Sequence, residues 1–108
     1  ETDAPFDAVI AINMIHISPW QATLGLMAGA QRLLRAGGVL FTYGPYKRDG
    51  RHTAPSNATF DASLKARDSA WGIRDVSEVE AAANESSLTL REIVEMPANN
   101  LSLVFVKT

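Results

Sequence analysis

His16 closes the string Asn13-Met14-Ile15-His16 directly after an apolar run, and it is the first side chain here that could do chemistry. An imidazole titrates near neutrality, so His16 is a candidate general base. Tyr46 could donate through its hydroxyl or stack on a substrate, although a tyrosine packed with its hydroxyl at the surface explains it as simply. Ser18 stands ahead of a helix pattern and reads as a cap before it reads as a nucleophile. Lys47, Arg48 and Arg51 cluster near His52 and could attract an anion, yet solvated loop charges are the ordinary reading. Asp61, Arg67, Asp68, Arg74 and Asp75 are spaced for ion pairs, and Trp71-Gly72 reads as a packed anchor. Asn99 and Asn100 suit a turn, because asparagine tolerates positive φ. His16 and His52 lie far apart with no HxxxH spacing, so no metal site is expected. Neither GxGxxG nor a Walker motif occurs, and Gly37-Gly38 precedes a strand pattern rather than opening a helix.

Composition narrows the classes further. The 108 residues are 46% hydrophobic and 20% charged, the balance of one globular domain and not of a disordered chain. Ten basic against twelve acidic side chains give a net charge of -2, which argues against general binding to a phosphate backbone. The sequence contains no cysteine, which excludes disulfides, thiolate zinc sites and thiol nucleophiles, and fits a cytoplasmic setting. No apolar run approaches the ~18 residues of a membrane span. The chain opens on Glu1 and reaches an apolar run almost at once, so it is expected to begin inside a larger domain.

These candidates must be positioned by alternating strands and helices. Phe6 to Ile12 reads as a strand apolar on both sides, the pattern of a parallel sheet covered on both faces. Ser18, Pro19 and Gln21 supply the signals of a capped helix, which carries Trp20, Leu24, Met27 and Leu34 at helical spacing. Gly37-Gly38 stops it, and Val39 to Tyr43 is a second strand, completing a βαβ unit. A polar loop from 44 to 56 leads to a helix from Asn57 to about Asp68, and Asp75 with Glu78 forms a capping box for another. Leu88 to Met96 and Leu101 to Lys107 are strands joined by Pro97-Ala98-Asn99-Asn100, an antiparallel hairpin whose last strand is interior. In open α/β sheets ligands bind outside the carboxyl ends of the strands. That places Asn13–His16, Gly44–Lys47 and Pro97–Asn100 on one rim.

The strings FDAVIAINMIHISPW, LLRAGGVLFTYGPY and the closing hairpin resemble the C-terminal half of a class I, Rossmann-like S-adenosylmethionine (SAM)-dependent methyltransferase. Over nearly the whole chain, YGPYKRDGRHTAPSNATFDASLKARDSAWGIRD and MPANNLSLVF are similar to an uncharacterised methyltransferase-like family, a domain of unknown function. The resemblance implies an α/β fold holding strands in the order 4-5-7-6 of that sheet, the last one antiparallel, with flanking helices. It implies that residues 1–108 are the C-terminal half of the domain, without the glycine loop and ribose-binding carboxylate. SAM would then be the cofactor of the full-length protein and would not bind tightly to this chain alone. Asn13, Met14 and Ile15 fall beside the methyl donor, with His16 and Tyr46 as candidate catalytic groups. Lys47, Asn57, Asp61, Trp71, Arg74, Asn99 and Asn100 are the candidates on the side of a small-molecule substrate. An unpaired apolar strand at 6–12 would pair with a second copy or with the missing half. Neither a membrane nor a nucleic acid is expected as partner. A non-catalytic ligand-binding or interaction module is the alternative, and a nicotinamide oxidoreductase fits the terminal hairpin less well.

Overall fold

The computed structural model describes residues 6–108. Strand β1 (Phe6–Ile12) leads through helix α1 (Trp20–Leu33) to β2 (Leu34–Gly44). Helices α2 (Pro55–Arg67) and α3 (Val76–Glu85) follow, and then β3 (Leu88–Met96) and β4 (Asn100–Lys107), joined by a tight turn at Pro97–Asn99. The sheet order is β1-β2-β4-β3. β1 and β2 are parallel, while β4 runs antiparallel to both β2 and β3. β3 therefore points the same way as β1 and β2. The carboxyl ends of all three reach one rim, and β4 is interior, as the residue pattern implies.

Strand parity decides which side chains form the core. Leu40 of β2 faces Phe105 of β4, and Thr42 faces Leu103, so every second residue turns to the same side. On that side Leu40, Leu88, Leu103 and Phe105 are fully buried against Met27 and Ala30 of α1 and Val79, Ala82 and Ala83 of α3. A register shift between Leu90 and Glu92 keeps the parity of β3 correct. Without it Glu92 rather than Ile93 would point into the core. The opposite face is different. Ile10 is 68% exposed, Ile12 64% and Phe41 37%, and Ile10 sits beside Phe41, which sits beside Val104. The expectation of a sheet covered on both faces is corrected: the described residues cover one face only.

The helix boundaries follow their caps, with two corrections. Asp75 accepts from the Ser77 amide and Glu78 returns a bond to the Asp75 amide, the reciprocal box expected from the sequence. Such a cap contributes about 1 kcal/mol. α1, however, has Pro19 at its N-cap and no side-chain cap. The Ser18 hydroxyl turns back to donate to the Met14 carbonyl, closing the loop after β1, so neither Ser18 nor Gln21 caps the helix. α2 begins at Pro55 rather than Asn57, because proline is already set in helical φ at the first position. β2 begins at Leu34, paired with Phe6, and becomes regular from Val39 once Gly37 (φ 82°) has made the turn.

Candidate functional site

The three strand ends do converge. The Asn13 amide donates to the Tyr43 carbonyl at 2.8 Å. Gly44 pairs with Leu101, and the Asn100 side chain donates to the Tyr43 hydroxyl at 3.1 Å. Gly44 is required here by close approach. A Cβ at this position would lie 2.7 Å from His16 Cδ2, 2.8 Å from His16 Nε2 and 3.1 Å from Asn13 Oδ1.

What holds the rim in place is the short segment between α2 and α3. The Gly72 amide donates to the His16 carbonyl at 2.9 Å. The Arg74 amide donates to His16 Nδ1 at 3.1 Å. The Arg74 guanidinium donates to the carbonyls of Ile15 (3.3 Å), Ser18 (3.0 Å) and Ala70 (2.8 Å). It also lies 5.5 Å from the centre of the Trp20 ring. The same segment binds the exit of β2: the Lys47 amide donates to the Arg74 carbonyl and the Val76 amide to the Lys47 carbonyl, both at 3.0 Å. Asp61 supports it from α2, accepting from the Ile73 amide at 2.8 Å and pairing with Lys65 at 3.1 Å and His52 at 3.3 Å. Burial pushes the Asp61 carboxyl up, but the Ile73 amide and Lys65 outweigh it and hold the group below its ordinary value.

His16 is fully buried, with its ring edge-on to Tyr46 at 4.5 Å between centres. Burial, helped by the Arg74 charge, lowers its pKa to about 4, while Asp61 pulls weakly the other way. The imidazole is thus neutral at pH 7. Because Nδ1 accepts the Arg74 amide, the single ring proton resides on Nε2. Nε2 has no hydrogen-bond partner among the described residues. In this arrangement the Nδ1 lone pair already accepts the Arg74 amide, and the base role read from the sequence would fall to Nε2.

The other candidates divide into accessible and occupied groups. Asn13 and Met14 are half-buried on the rim, and Asn13 takes positive φ (59°) at the end of β1. Ile15 is buried and its carbonyl is held by Arg74, so its side chain faces the core. Tyr46 is also fully buried; its hydroxyl donates to Thr42 at 2.7 Å, and burial pushes its pKa up. Arg74 spans backbone carbonyls, and the expected ion pairs of Arg67, Asp68, Arg74 and Asp75 are not formed among the described residues. Arg67 instead lies 5.5 Å over the half-buried Trp71. Buried Asn57 donates to Thr53 Oγ1 at 3.1 Å and to the Asn99 carbonyl at 3.2 Å. Asn99 has the positive φ expected (62°), whereas Asn100 does not; its amide instead ties the turn to Tyr43. Lys47 stays half-exposed near the rim. No local pattern signals the His52–Asp61 pair, whereas Asp61 and Lys65 have i,i+4 spacing.

This arrangement of sheet and rim is the C-terminal part of a SAM methyltransferase fold. The structure of LaPhzM matches all of this chain with a TM-score of 0.83 at 16% identity. CalO1, a methyltransferase of calicheamicin biosynthesis in its SAH-bound form, matches 98% with a TM-score of 0.80 at 18% identity. An O-methyltransferase family 2 protein from Planctomyces limnophilus, in complex with apigenin, matches 96% with a TM-score of 0.83 at 18% identity. The chain spans 32% of the length of each of these proteins. Over residues 1–107 it belongs to the family described as protein of unknown function, DUF938, a methyltransferase-like domain. No helix among the described residues is long and apolar enough to cross a membrane.

The His16 environment predicts a pH dependence of stability. A depressed folded pKa means the unfolded chain binds the proton first. The stability is therefore fully present above pH 6.5 and is lost as pH falls from 6.5 through about 4. The loss should amount to about 3 kcal/mol. Urea unfolding across this range should show that slope in the parent chain and lose most of it in His16→Asn. Equal slopes in both would show that His16 is not buried as described.

Proposed function

We propose that this chain is the substrate-side part of a SAM-dependent methyltransferase acting on a small molecule, in a cytoplasmic setting. The convergence of Asn13–His16, Gly44–Lys47 and Pro97–Asn100 on one carboxyl rim carries the reading. Likeness of fold to methyltransferases, two of them solved with SAH, supports it. The fit to SAM is that of one wall: Asn13 and Met14 are accessible on the rim, while the glycine loop and ribose carboxylate are not in this sequence. When bound, SAM supplies an electrophilic methyl group on a sulfonium.

What the chain's own residues contribute is position. His16 Nε2 lies buried beside Gly44 with no partner among the described residues, and Tyr46 holds the His16 ring edge-on. Arg74 holds the loop after β1 and Asp61 backs its segment through Ile73, while Trp71 packs under Arg67 beside them. Asn57, Asn99, Asn100 and Lys47 shape the side where an acceptor would enter. Alignment of two reactants alone can account for much of a barrier. A second reading, a non-catalytic binding or interaction module, draws on the burial of both His16 and Tyr46.

Isothermal titration with SAM separates them. The full-length polypeptide should bind SAM and the 108-residue chain should not; tight binding by the chain alone would refute this placement of the cofactor. No binding by the full-length polypeptide would favour the interaction module.

The exposed β1 and the apolar row Ile10–Phe41–Val104 point to association, with a second copy or with the rest of a longer polypeptide. Light scattering after gel filtration should find the 108-residue chain oligomeric. A stable monomer at micromolar concentration would count against it.

A further inference from the structure

A hollow of about 220 Å³ opens on the rim between the β3–β4 turn and the loop ahead of α2. Met96 and Leu101 contribute apolar lining. Arg48 and Thr53 come from the loop ahead of α2, and Glu95 and Asn99 from β3 and the turn after it. Among the described residues Arg48 makes no salt bridge, not even with Glu95 in the same hollow. The Thr53 hydroxyl accepts from Asn57, which leaves its own proton free to donate.

The turn that walls this hollow is held in an uncommon shape. Ala98 (φ 63°) and Asn99 (φ 62°) are consecutive left-handed residues. A non-glycine residue in that region is strained and persists only where its surroundings impose it. The imposing contacts are present. Buried Asn57 grips the Asn99 carbonyl at 3.2 Å, and Asn100 grips the Pro97 carbonyl at 3.2 Å. Asn57 uses its amide donors on Thr53 and Asn99, so it ties together two residues that line the hollow. Strain maintained by a buried clamp at the mouth of a cavity is a pattern of binding sites.

We propose that this hollow binds a small molecule carrying one carboxylate on an apolar body. A single guanidinium matches a single carboxylate through two parallel N–H donors, and the Thr53 proton adds a third. Glu95 in the same hollow repels any anion, a dianion such as a phosphate about twice as strongly, so a monoanion is favoured over it. Met96 and Leu101 take the apolar body. The ligand is the methyl acceptor, a step that rests on the function proposed above; the binding itself does not.

The test is titration of the full-length polypeptide, without SAM, with benzoate, 4-hydroxybenzoate and indole-3-acetate, each beside its methyl ester. At least one acid should bind saturably, its ester about tenfold more weakly. Arg48→Gln should weaken the acid by about the same factor, and Arg48→Lys should restore part of it. Arg48 is exposed, so these variants should fold as the parent does. Amide NMR shifts should centre on Asn99–Leu101. Esters binding as well as acids, an indifferent Arg48→Gln, shifts centred elsewhere or no saturable binding by any acid would overturn the proposal. If the acids bind through Arg48 while SAM does not bind, the pocket stands and the methyltransferase reading falls. If SAM binds and the acids do not, the reverse holds.

Discussion

The rim of this sheet depends on the hydrogen bonds of the Gly72–Val76 segment. Loops at strand ends have no ladder of their own, and their backbone groups must find partners elsewhere. Here one short segment supplies them to two loops at once. Gly72 and Arg74 reach the loop after β1 at His16, while Arg74 and Val76 bracket Lys47 at the exit of β2. The guanidinium then closes the carbonyls of Ile15 and Ser18, which would otherwise end unpaired near α1. Asp61 holds the segment from the other side through Ile73, and the Asp75 box anchors its far end as the first turn of α3. Its backing is therefore on both flanks, α2 and α3.

The same bonds set the electrostatics of the site. Placing the Arg74 amide on His16 Nδ1 selects one neutral tautomer, and burial with a nearby guanidinium keeps the ring from charging. Gly44 lets the ring approach the strand end without a Cβ in the way. Tyr46 packs edge-on against it with its hydroxyl satisfied by Thr42, so the aromatic pair is a rigid unit and not a relay of protons. The rim's more adaptable chemistry lies farther along, where Arg48, Thr53 and Glu95 line an open hollow with donors and charge to offer.

Most of the fold was legible because its signals are local. The apolar runs of β1 and β4 and the Asp75–Glu78 box each act within a few residues, whereas α1 ends at Leu33, ahead of the Gly37-Gly38 stop expected for it. The shared rim followed from topology, since a parallel βαβ unit and a closing hairpin leave little choice of direction. The site's inner chemistry was less legible, because it depends on partners far away in sequence. Nothing within a few residues of Arg74 shows that its donors meet the carbonyls of Ile15 and Ser18, or that its amide meets His16. Ser18 has the composition of a cap, but Pro19 occupies that position and its hydroxyl turns to Met14. Ala98 could not be foreseen with positive φ, since alanine offers no local bond to favour it; the clamp from Asn57 lies on another element.

Amide hydrogen exchange measured residue by residue is the most direct test of the lacing. The amides of Gly72, Arg74, Lys47 and Val76 should exchange as slowly as those in the central strands β2 and β4, although none of the four lies in a strand ladder. Exchange of these amides as fast as that of the exposed Asp49 amide, which has no partner among the described residues, would contradict the account.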